Sequence, residues 1–225
     1  MEQTLFDQTT TFNELFSNKV PETQINSSEF PLIIEENQLI SNLSRLTENL
    51  ILTSASAVNP VILRALNIKC IINIAPELPD PQYDADNIIY HKIPILDSGI
   101  SRILPFFHEV ADLINEVASS NGQTLVYCVA GVSRSASICI SYLMKYHQLS
   151  LLEAYNYVKI KRPRIKPNCG FFKQLIEYEK QLYCCNTVVM VFNEFVKMSI
   201  PNVYDSEYRF INNLTKKRII PRNKR

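Results

Sequence analysis

The stretch 124–136 constrains the fold of this chain more than any other part of the sequence, because it has the pattern of a buried strand, a tight loop and a helix start. Residues 124–128 form a short apolar run that contains a β-branched residue and an aromatic. From Ser133 onward, apolar residues recur at helical spacing, at Ile138, Tyr142, Leu143 and Tyr146. The stretch therefore predicts a strand that passes through a tight loop directly into a helix.

Strands and helices also alternate elsewhere in the chain. Apolar runs at 49–53, 68–74 and 88–95 predict strands, and 60–66 predicts a short helix between the first two. Alternation of this kind implies right-handed crossovers. The predicted fold class is α/β, with a mostly parallel central sheet flanked by helices on both faces. In such sheets, functional sites lie beyond the carboxyl ends of the strands.

The later helices have recognisable start and stop signals. Ser150 and Glu153 have the spacing of a capping box, Pro163 ends the helix that they begin, and Asn168 starts the next one. Pro105 opens an earlier helix. The core face of that helix is predicted to hold Phe106, Val110, Leu113 and Val117.

The loop after the strand at 124–128 suits the binding of an anion. A strand-to-helix loop turns backbone N–H groups inward and directs a helix N-terminus at the same point. Cys128 lies at this point, where a positive field favours a reactive thiolate. Arg134, six positions later, supplies a planar fork for two phosphate oxygens. The groups expected to bind phosphate are those of Val129, Ala130, Gly131, Val132, Ser133 and Arg134.

A plainer interpretation of the same residues is a buried structural cysteine followed by an unrelated arginine. Six cysteines and 23 Lys and Arg residues make such a spacing easy to reach by chance. However, an anion-binding loop around a reactive cysteine accounts for the strand, Gly131, the following Ser135 and the helix together. We therefore predict that Cys128 is a nucleophile and that the Ser135 hydroxyl donates toward its sulfur.

Several motifs resemble those of a known family. The pattern Cys128-(x5)-Arg134-Ser135 resembles the signature of the cysteine-dependent protein tyrosine phosphatases, and residues 130–137 are similar to its dual-specificity branch. Residues 162–171 also match that branch, and residues 186–204 resemble the tail of a small atypical subgroup without a targeting domain. The resemblance spans about residues 39–204.

The resemblance implies a fold and a reaction. The fold is phosphotyrosine phosphatase-like, and the reaction is hydrolysis of phosphotyrosine and phosphoserine or phosphothreonine on proteins. It runs through a phosphocysteine at Cys128, with phosphate bound by Arg134, Asp97 as general acid and Ser135 assisting the sulfur to leave. No metal and no other cofactor is expected.

Three positions carry alternatives. Asp97 follows the strand at 88–95 and emerges on the same sheet edge as Cys128, but an aspartate that caps a turn is equally common there. Asn168 is a support for the loop, as in the family, or a plain N-cap, and the two roles can coexist. Tyr127 stands where the family usually has histidine, so we expect the thiolate to be less favoured than in a Tyr127→His variant.

Other functions share the same chemistry. A phosphoinositide phosphatase or an RNA 5′-phosphatase would use a similar loop, although no lysine lies between Cys128 and Arg134. A phosphoprotein-binding pseudo-phosphatase is the non-enzyme alternative. The presence of Cys128, Arg134 and Asp97 together favours an enzyme. The basic run at 159–166 has two interpretations, a solvated face and a contact for acidic substrate flanks.

The chain divides into three predicted parts. Residues 1–38 are acidic and are predicted to be a disordered arm, 39–185 form the catalytic domain, and 186–225 are an extension with a strand near 187–192 and a basic disordered end. The net charge of +1 argues against nucleic acid as a partner. No signal peptide or bilayer-spanning run is evident. We expect a monomer without stable membrane insertion, in the cytoplasm and also in the nucleus.

Overall fold

The computed structural model describes residues 42–80 and 88–219 of the chain. Its central sheet contains the strands β1 (Ser44–Arg45), β2 (Leu50–Ser54), β3 (Ile68–Asn73), β4 (Ile89–Lys92) and β5 (Gln123–Cys128). Their order across the sheet is β1-β2-β5-β3-β4. The pairs formed by β2, β5, β3 and β4 are parallel, and β1 is antiparallel to β2. The predicted mostly parallel sheet is therefore confirmed.

Strand β5 is the central strand of this sheet. On one side Ser54 of β2 pairs with Cys128, and on the other side Asn73 of β3 pairs with Tyr127. The loop that follows Cys128 consequently emerges between the carboxyl ends of two parallel neighbours. Polar side chains at the ends of β2, β3 and β4 are thus brought to the same edge.

The described residues also contain six helices. They are α1 (Pro60–Ala65), α2 (Leu104–Ser119), α3 (Arg134–His147), α4 (Leu151–Lys161), α5 (Cys169–Tyr183) and α6 (Asp205–Ile219). Helices α2, α3, α4 and α5 share one hydrophobic core with Leu52, Ile72 and Val126 of the sheet. On the opposite face, Leu63 of α1 packs with Ile71. Both faces are covered as predicted, but unequally.

The helix boundaries follow the signals in the sequence. The side chain of Asn59 accepts a hydrogen bond from the Ile62 amide and caps α1, whose first residue is a proline. Ser150 and Glu153 form the predicted capping box. Gln148 adopts a left-handed conformation and ends α3.

The predicted core face of α2 needs a correction. Its fully buried residues are Phe107, Val110, Ala111, Ile114 and Val117. Phe106 and Leu113, which we predicted on the core face with Val110 and Val117, are only partly buried. The helix packs against the sheet on one side and against α3 and α5 on others, so it needs a wide apolar stripe. The centre of that stripe is rotated from the predicted one.

The C-terminal part contains more regular structure than predicted. Strands β6 (Met190–Asn193) and β7 (Met198–Pro201) form an antiparallel hairpin, and β6 corresponds to the strand expected near 187–192. The basic end predicted as disordered is helical as far as Ile219. Ion pairs of Lys166 with Glu207 and of Arg209 with Asp205 fix the first turns of α6, from which the helix can propagate.

Other predictions fall outside the described residues. The acidic arm, which lies within 1–41, and the last basic residues at 220–225 were both predicted to be disordered, and neither prediction is tested. Residues 81–87 are also outside. Within 42–80 and 88–219, no helix combines the length and the apolar character needed to cross a bilayer.

Candidate active site

The 129–133 loop connects β5 to α3 at the carboxyl edge of the sheet. Cys128, the last residue of β5, is 1 % exposed, and Arg134, the first residue of α3, is 3 % exposed. The predicted strand, loop and helix are all present. The geometry therefore brings the sulfur, the guanidinium and a helix N-terminus to the same point.

The carbonyl groups of the loop are all bound from outside. The carbonyls of Val129 and Val132 accept hydrogen bonds from the backbone amides of Ala55 and Lys166. Those of Ala130 and Gly131 accept from Arg162, and that of Ser133 accepts from Ser137. In a trans peptide the N–H of the next residue points opposite to the carbonyl. The amides of residues 130–134 are therefore directed into the concave side of the loop, as an anion site requires.

Gly131 allows the loop to turn. Its φ is +65°, in the left-handed region that favours glycine. A Cβ atom at this position would lie 2.4 Å from the Thr53 carbonyl oxygen and 2.5 Å from Arg162 Nη2. A side chain here is excluded both by backbone conformation and by space.

The hydrogen-bond donors of Arg134 are divided between two directions. Nη1 donates to Glu77 Oε2 at 2.9 Å and to the Ile95 carbonyl at 3.0 Å, and Nη2 donates to Glu77 Oε1 at 2.6 Å. Nε is buried and has no hydrogen-bond partner within the described residues. A guanidinium has five N–H groups. The Nε–H and the second Nη2–H remain as a side-on fork for two oxygens of one ligand.

The charges around Arg134 stabilise one another. Burial lowers the pKa of Arg134, but its hydrogen bonds to Glu77 and the nearby negative charges outweigh burial and raise the pKa overall. The hydrogen bond from Arg134 in turn lowers the pKa of Glu77. Both groups are therefore charged at neutral pH.

Asp97 lies at the edge of the loop, as predicted. Its Oδ1 accepts hydrogen bonds from Ser133 Oγ at 2.7 Å and from Asn168 Nδ2 at 2.8 Å. Its Oδ2 lies 3.9 Å from Arg134 Nε, and 37 % of the side chain is exposed. Two donors therefore bind Oδ1, and Oδ2 is the oxygen that lies toward the Arg134 guanidinium.

Asn168 makes the contacts of both roles that the sequence analysis considered. Its Oδ1 accepts from the Phe171 amide and caps α5, while its backbone N–H donates to Ser133 Oγ at 3.1 Å. Its Nδ2 reaches Asp97. The same residue therefore starts a helix and holds the loop and Asp97 together.

Ser135 and Tyr127 occupy different sides of the site. Ser135 is fully buried, and its Oγ lies 3.1 Å from Cys128 Sγ. Tyr127 projects to the opposite face of the sheet, where it packs in the core beside α1 and is a hydrogen-bond partner of Tyr90. Alternation along the strand separates its side chain from that of Cys128.

Two residues at the site were missed by sequence reasoning. Glu77 follows β3 at the same sheet edge as Asp97, so the rule that identified Asp97 also applied to it. Arg162 belongs to the basic run at 159–166, for which a solvated face was one of the two interpretations. In the structure it is 4 % exposed and lies behind the loop. No local pattern predicts that placement.

Comparisons with known proteins find a matching family profile and similar chains. The family profile described as "Dual specificity phosphatase, catalytic domain" matches residues 50–181. The Mus musculus "Dual specificity protein phosphatase 14" is 45 % identical over 185 residues, which cover 80 % of this chain and 89 % of the relative. The Rattus norvegicus "Dual specificity protein phosphatase 18" is 43 % identical over 173 residues, with 76 % and 83 % covered.

A solved structure gives the same result at the level of the fold. The crystal structure of human DUSP28 superposes with a TM-score of 0.59 at 32 % identity, covering 63 % of this chain and 95 % of that one.

Proposed function

The chain belongs to the dual-specificity phosphatase family and is a protein phosphatase, and from that premise we propose how its residues divide the reaction. Cys128, as thiolate, attacks phosphorus and forms the S–P bond of a phosphocysteine. The bond from phosphorus to the substrate side-chain oxygen breaks, and Asp97 Oδ2 gives its proton to that oxygen. Arg134 and the amides of the loop bind the remaining phosphoryl oxygens.

The second half of the reaction regenerates the enzyme. A water molecule attacks the phosphocysteine, and Asp97, now ionised, takes its proton. The S–P bond breaks and the sulfur leaves as thiolate. The Ser135 hydroxyl, 3.1 Å from the sulfur, donates a hydrogen bond to the developing negative charge.

The observation that carries this division of roles is the direction of the donors. The amides of residues 130–134 turn toward one point, and the Nε of Arg134 is a buried donor without a partner within the described residues. Buried donors without partners are unfavourable unless a ligand satisfies them. A phosphoryl group bound above Cys128 accepts hydrogen bonds both from the loop amides and from Arg134 Nε.

The other candidate functions receive less support. The 129–133 loop contains no lysine that would favour a phosphoinositide headgroup. A pseudo-phosphatase needs only binding groups, whereas this site also holds a buried thiol beside Ser135 and a carboxyl group at its edge. We further propose that the enzyme acts as a monomer in the cytoplasm and nucleus, where a working thiolate finds a reducing compartment. Its net charge of +1 argues against nucleic acid as a partner.

A phosphopeptide assay tests the proposal. The full chain is incubated, in the presence of a metal chelator, with a phosphotyrosine peptide and a phosphothreonine peptide of otherwise identical sequence. The released phosphate is measured. We expect turnover of both peptides, and none by Cys128→Ser. Cys139→Ser is the matched control, since Cys139 is a buried thiol on α3 outside the proposed reaction. Turnover that persists in Cys128→Ser contradicts the proposal.

A further inference from the structure

Arg134 by itself leaves the site with little net positive charge. Its guanidinium forms two short contacts to the carboxylate of Glu77, and a second carboxylate, that of Asp97, lies 3.9 Å from Nε. A phosphate dianion and a thiolate bring further negative charge to the same point. Attraction for them has to come from the loop amides and from some other cation.

Arg162 is a buried cation directly behind the loop. Its Nε donates to the Gly131 carbonyl at 2.7 Å and its Nη2 to the Ala130 carbonyl at 3.4 Å. Its Nη1 donates to the Asn42 carbonyl at 3.0 Å and to Ser44 Oγ at 3.2 Å. All of these acceptors are neutral. Within the described residues no carboxylate forms an ion pair with Arg162, in contrast to Arg134.

Within 42–80 and 88–219, the charge of Arg162 is therefore not neutralised by an ion pair. Burial lowers its pKa to about 10, which leaves the guanidinium protonated at neutral pH. Desolvated charges act over longer distances than exposed ones, because water screens them less. The charge lies on the side of the loop from which the carbonyls are bound, and the loop amides point away from it toward the thiol.

Arg162 also fixes two peptide planes of the loop. By binding the carbonyls of Ala130 and Gly131, it turns the N–H groups of Gly131 and Val132 into the anion site. A planar guanidinium can hold two carbonyls at once in fixed geometry. A lysine can supply the charge but not this pair of directed bonds.

We propose that Arg162 is a positioning residue for the phosphatase reaction. It orients the loop amides, and it supplies positive potential at the site, where the charge of Arg134 is offset by Glu77. It does not touch the reacting atoms and acts through the loop. The inference rests on the proposed role of Cys128 as nucleophile.

Charged and neutral alkylating agents test the electrostatic part. Cys128 is alkylated at one pH with iodoacetate and with iodoacetamide, and its modification is followed by peptide mass spectrometry, because Cys184 and Cys185 are exposed and also react. The ratio of the two rates reports the potential at the sulfur. We expect Arg162→Gln to lower the iodoacetate-to-iodoacetamide ratio about tenfold, and Arg162→Lys to retain it.

Arg164→Gln is the matched control, since it removes an equal charge from an exposed residue two positions away. We expect its ratio to stay within about twofold of the parent, because water screens exposed charges. An Arg162→Gln ratio equal to that of the parent overturns the electrostatic part, as does an equal fall in Arg164→Gln.

Kinetics test the geometric part. With an aryl phosphate, we expect kcat/KM to fall at least about tenfold in Arg162→Lys, since the charge remains but the two directed bonds are lost. Activity of Arg162→Lys within twofold of the parent overturns this part. Circular dichroism shows whether each variant is folded, and Arg162→Lys keeps the proposal falsifiable if Arg162→Gln does not fold. Turnover that persists in Cys128→Ser instead refutes the nucleophile assignment, whatever the Arg162 variants do.

Discussion

The carboxylate of Glu77 binds the guanidinium of Arg134 end-on, with Oε1 2.6 Å from Nη2 and Oε2 2.9 Å from Nη1. Arg134 is almost fully buried, whereas the side chain of Glu77 is 42 % exposed. The pair leaves the other edge of the guanidinium, with Nε, directed at the loop. The orientation of the phosphate-binding fork thus depends on a residue that is 57 positions away in sequence.

The first prediction concerns acid stability. The pKa of Glu77 in the folded protein lies below its ordinary value of 4.5, because Arg134 donates to the carboxylate. A lowered folded pKa stabilises the protein fully above the unfolded value, and this contribution is lost as the pH falls through the folded value. Urea denaturation of the parent and Glu77→Gln should give a constant difference in free energy of unfolding above about pH 5, which shrinks below about pH 4.5. A difference that grows on acidification contradicts the ion pair.

The second prediction concerns the proton supplied by Asp97. A poor leaving group such as the threonine alkoxide needs protonation as the P–O bond breaks, whereas p-nitrophenolate does not. Asp97→Asn should therefore lower kcat for a phosphothreonine peptide about 100-fold or more, and for p-nitrophenyl phosphate far less. Asp112→Asn, which removes a surface carboxylate bound to Lys145, is the control. Equal losses on both substrates would show that Asp97 is not the general acid.

The third prediction concerns the departure of the sulfur. Without the hydroxyl of Ser135, breakdown of the phosphocysteine should slow about tenfold and become rate-limiting. Stopped-flow measurement of Ser135→Ala with p-nitrophenyl phosphate should then show a burst of nitrophenolate followed by slow turnover. Ser137→Ala, which loses a hydrogen bond to the loop carbonyl of Ser133 and not to the sulfur, is expected to show no larger burst than the parent. Slow turnover of Ser135→Ala without a burst argues against this role.

The fourth prediction concerns the left-handed turn of the loop. Gly131→Ala places a methyl group against the Thr53 carbonyl and Arg162. The left-handed φ of this position is also strained for alanine. The loop should shift, and the inhibition constant for inorganic phosphate should rise about tenfold or more, because several amides lose their direction together. Gly99→Ala is the control, because a Cβ there meets no atom of the described residues within 4 Å. Unchanged inhibition of Gly131→Ala by phosphate contradicts the proposed use of the loop amides.

The sequence was sufficient to predict the local parts of the site. A short buried apolar run followed by a period-3.6 pattern separates β5 from α3, and the tight loop between them fixes the relation of Cys128 to Arg134. The rule for carboxyl ends of parallel strands brought Asp97 to the same edge. These predictions succeed because each depends on short-range geometry or on one topological rule.

The missed residues depend on long-range contacts. Arg162 reaches the Gly131 carbonyl across 31 positions, and no pattern of spacing or composition records that a buried arginine will bind a loop from behind. The face of α2 was misplaced because its centre is set by three neighbouring elements and not by the helix alone. That Tyr127 departs from the family pattern, and that Tyr127→His would favour the thiolate, both stay predictions.

The most direct measurement of the central claim is the trapping of the phosphocysteine. The parent and Ser135→Ala are mixed with an aryl phosphate, quenched by rapid denaturation during turnover, and digested for peptide mass spectrometry. We predict one phosphoryl group on the peptide containing Cys128, in greater amount in Ser135→Ala, and none in Cys128→Ser. Continued turnover with no phosphorylated Cys128, or with the phosphoryl group on another residue, contradicts the account.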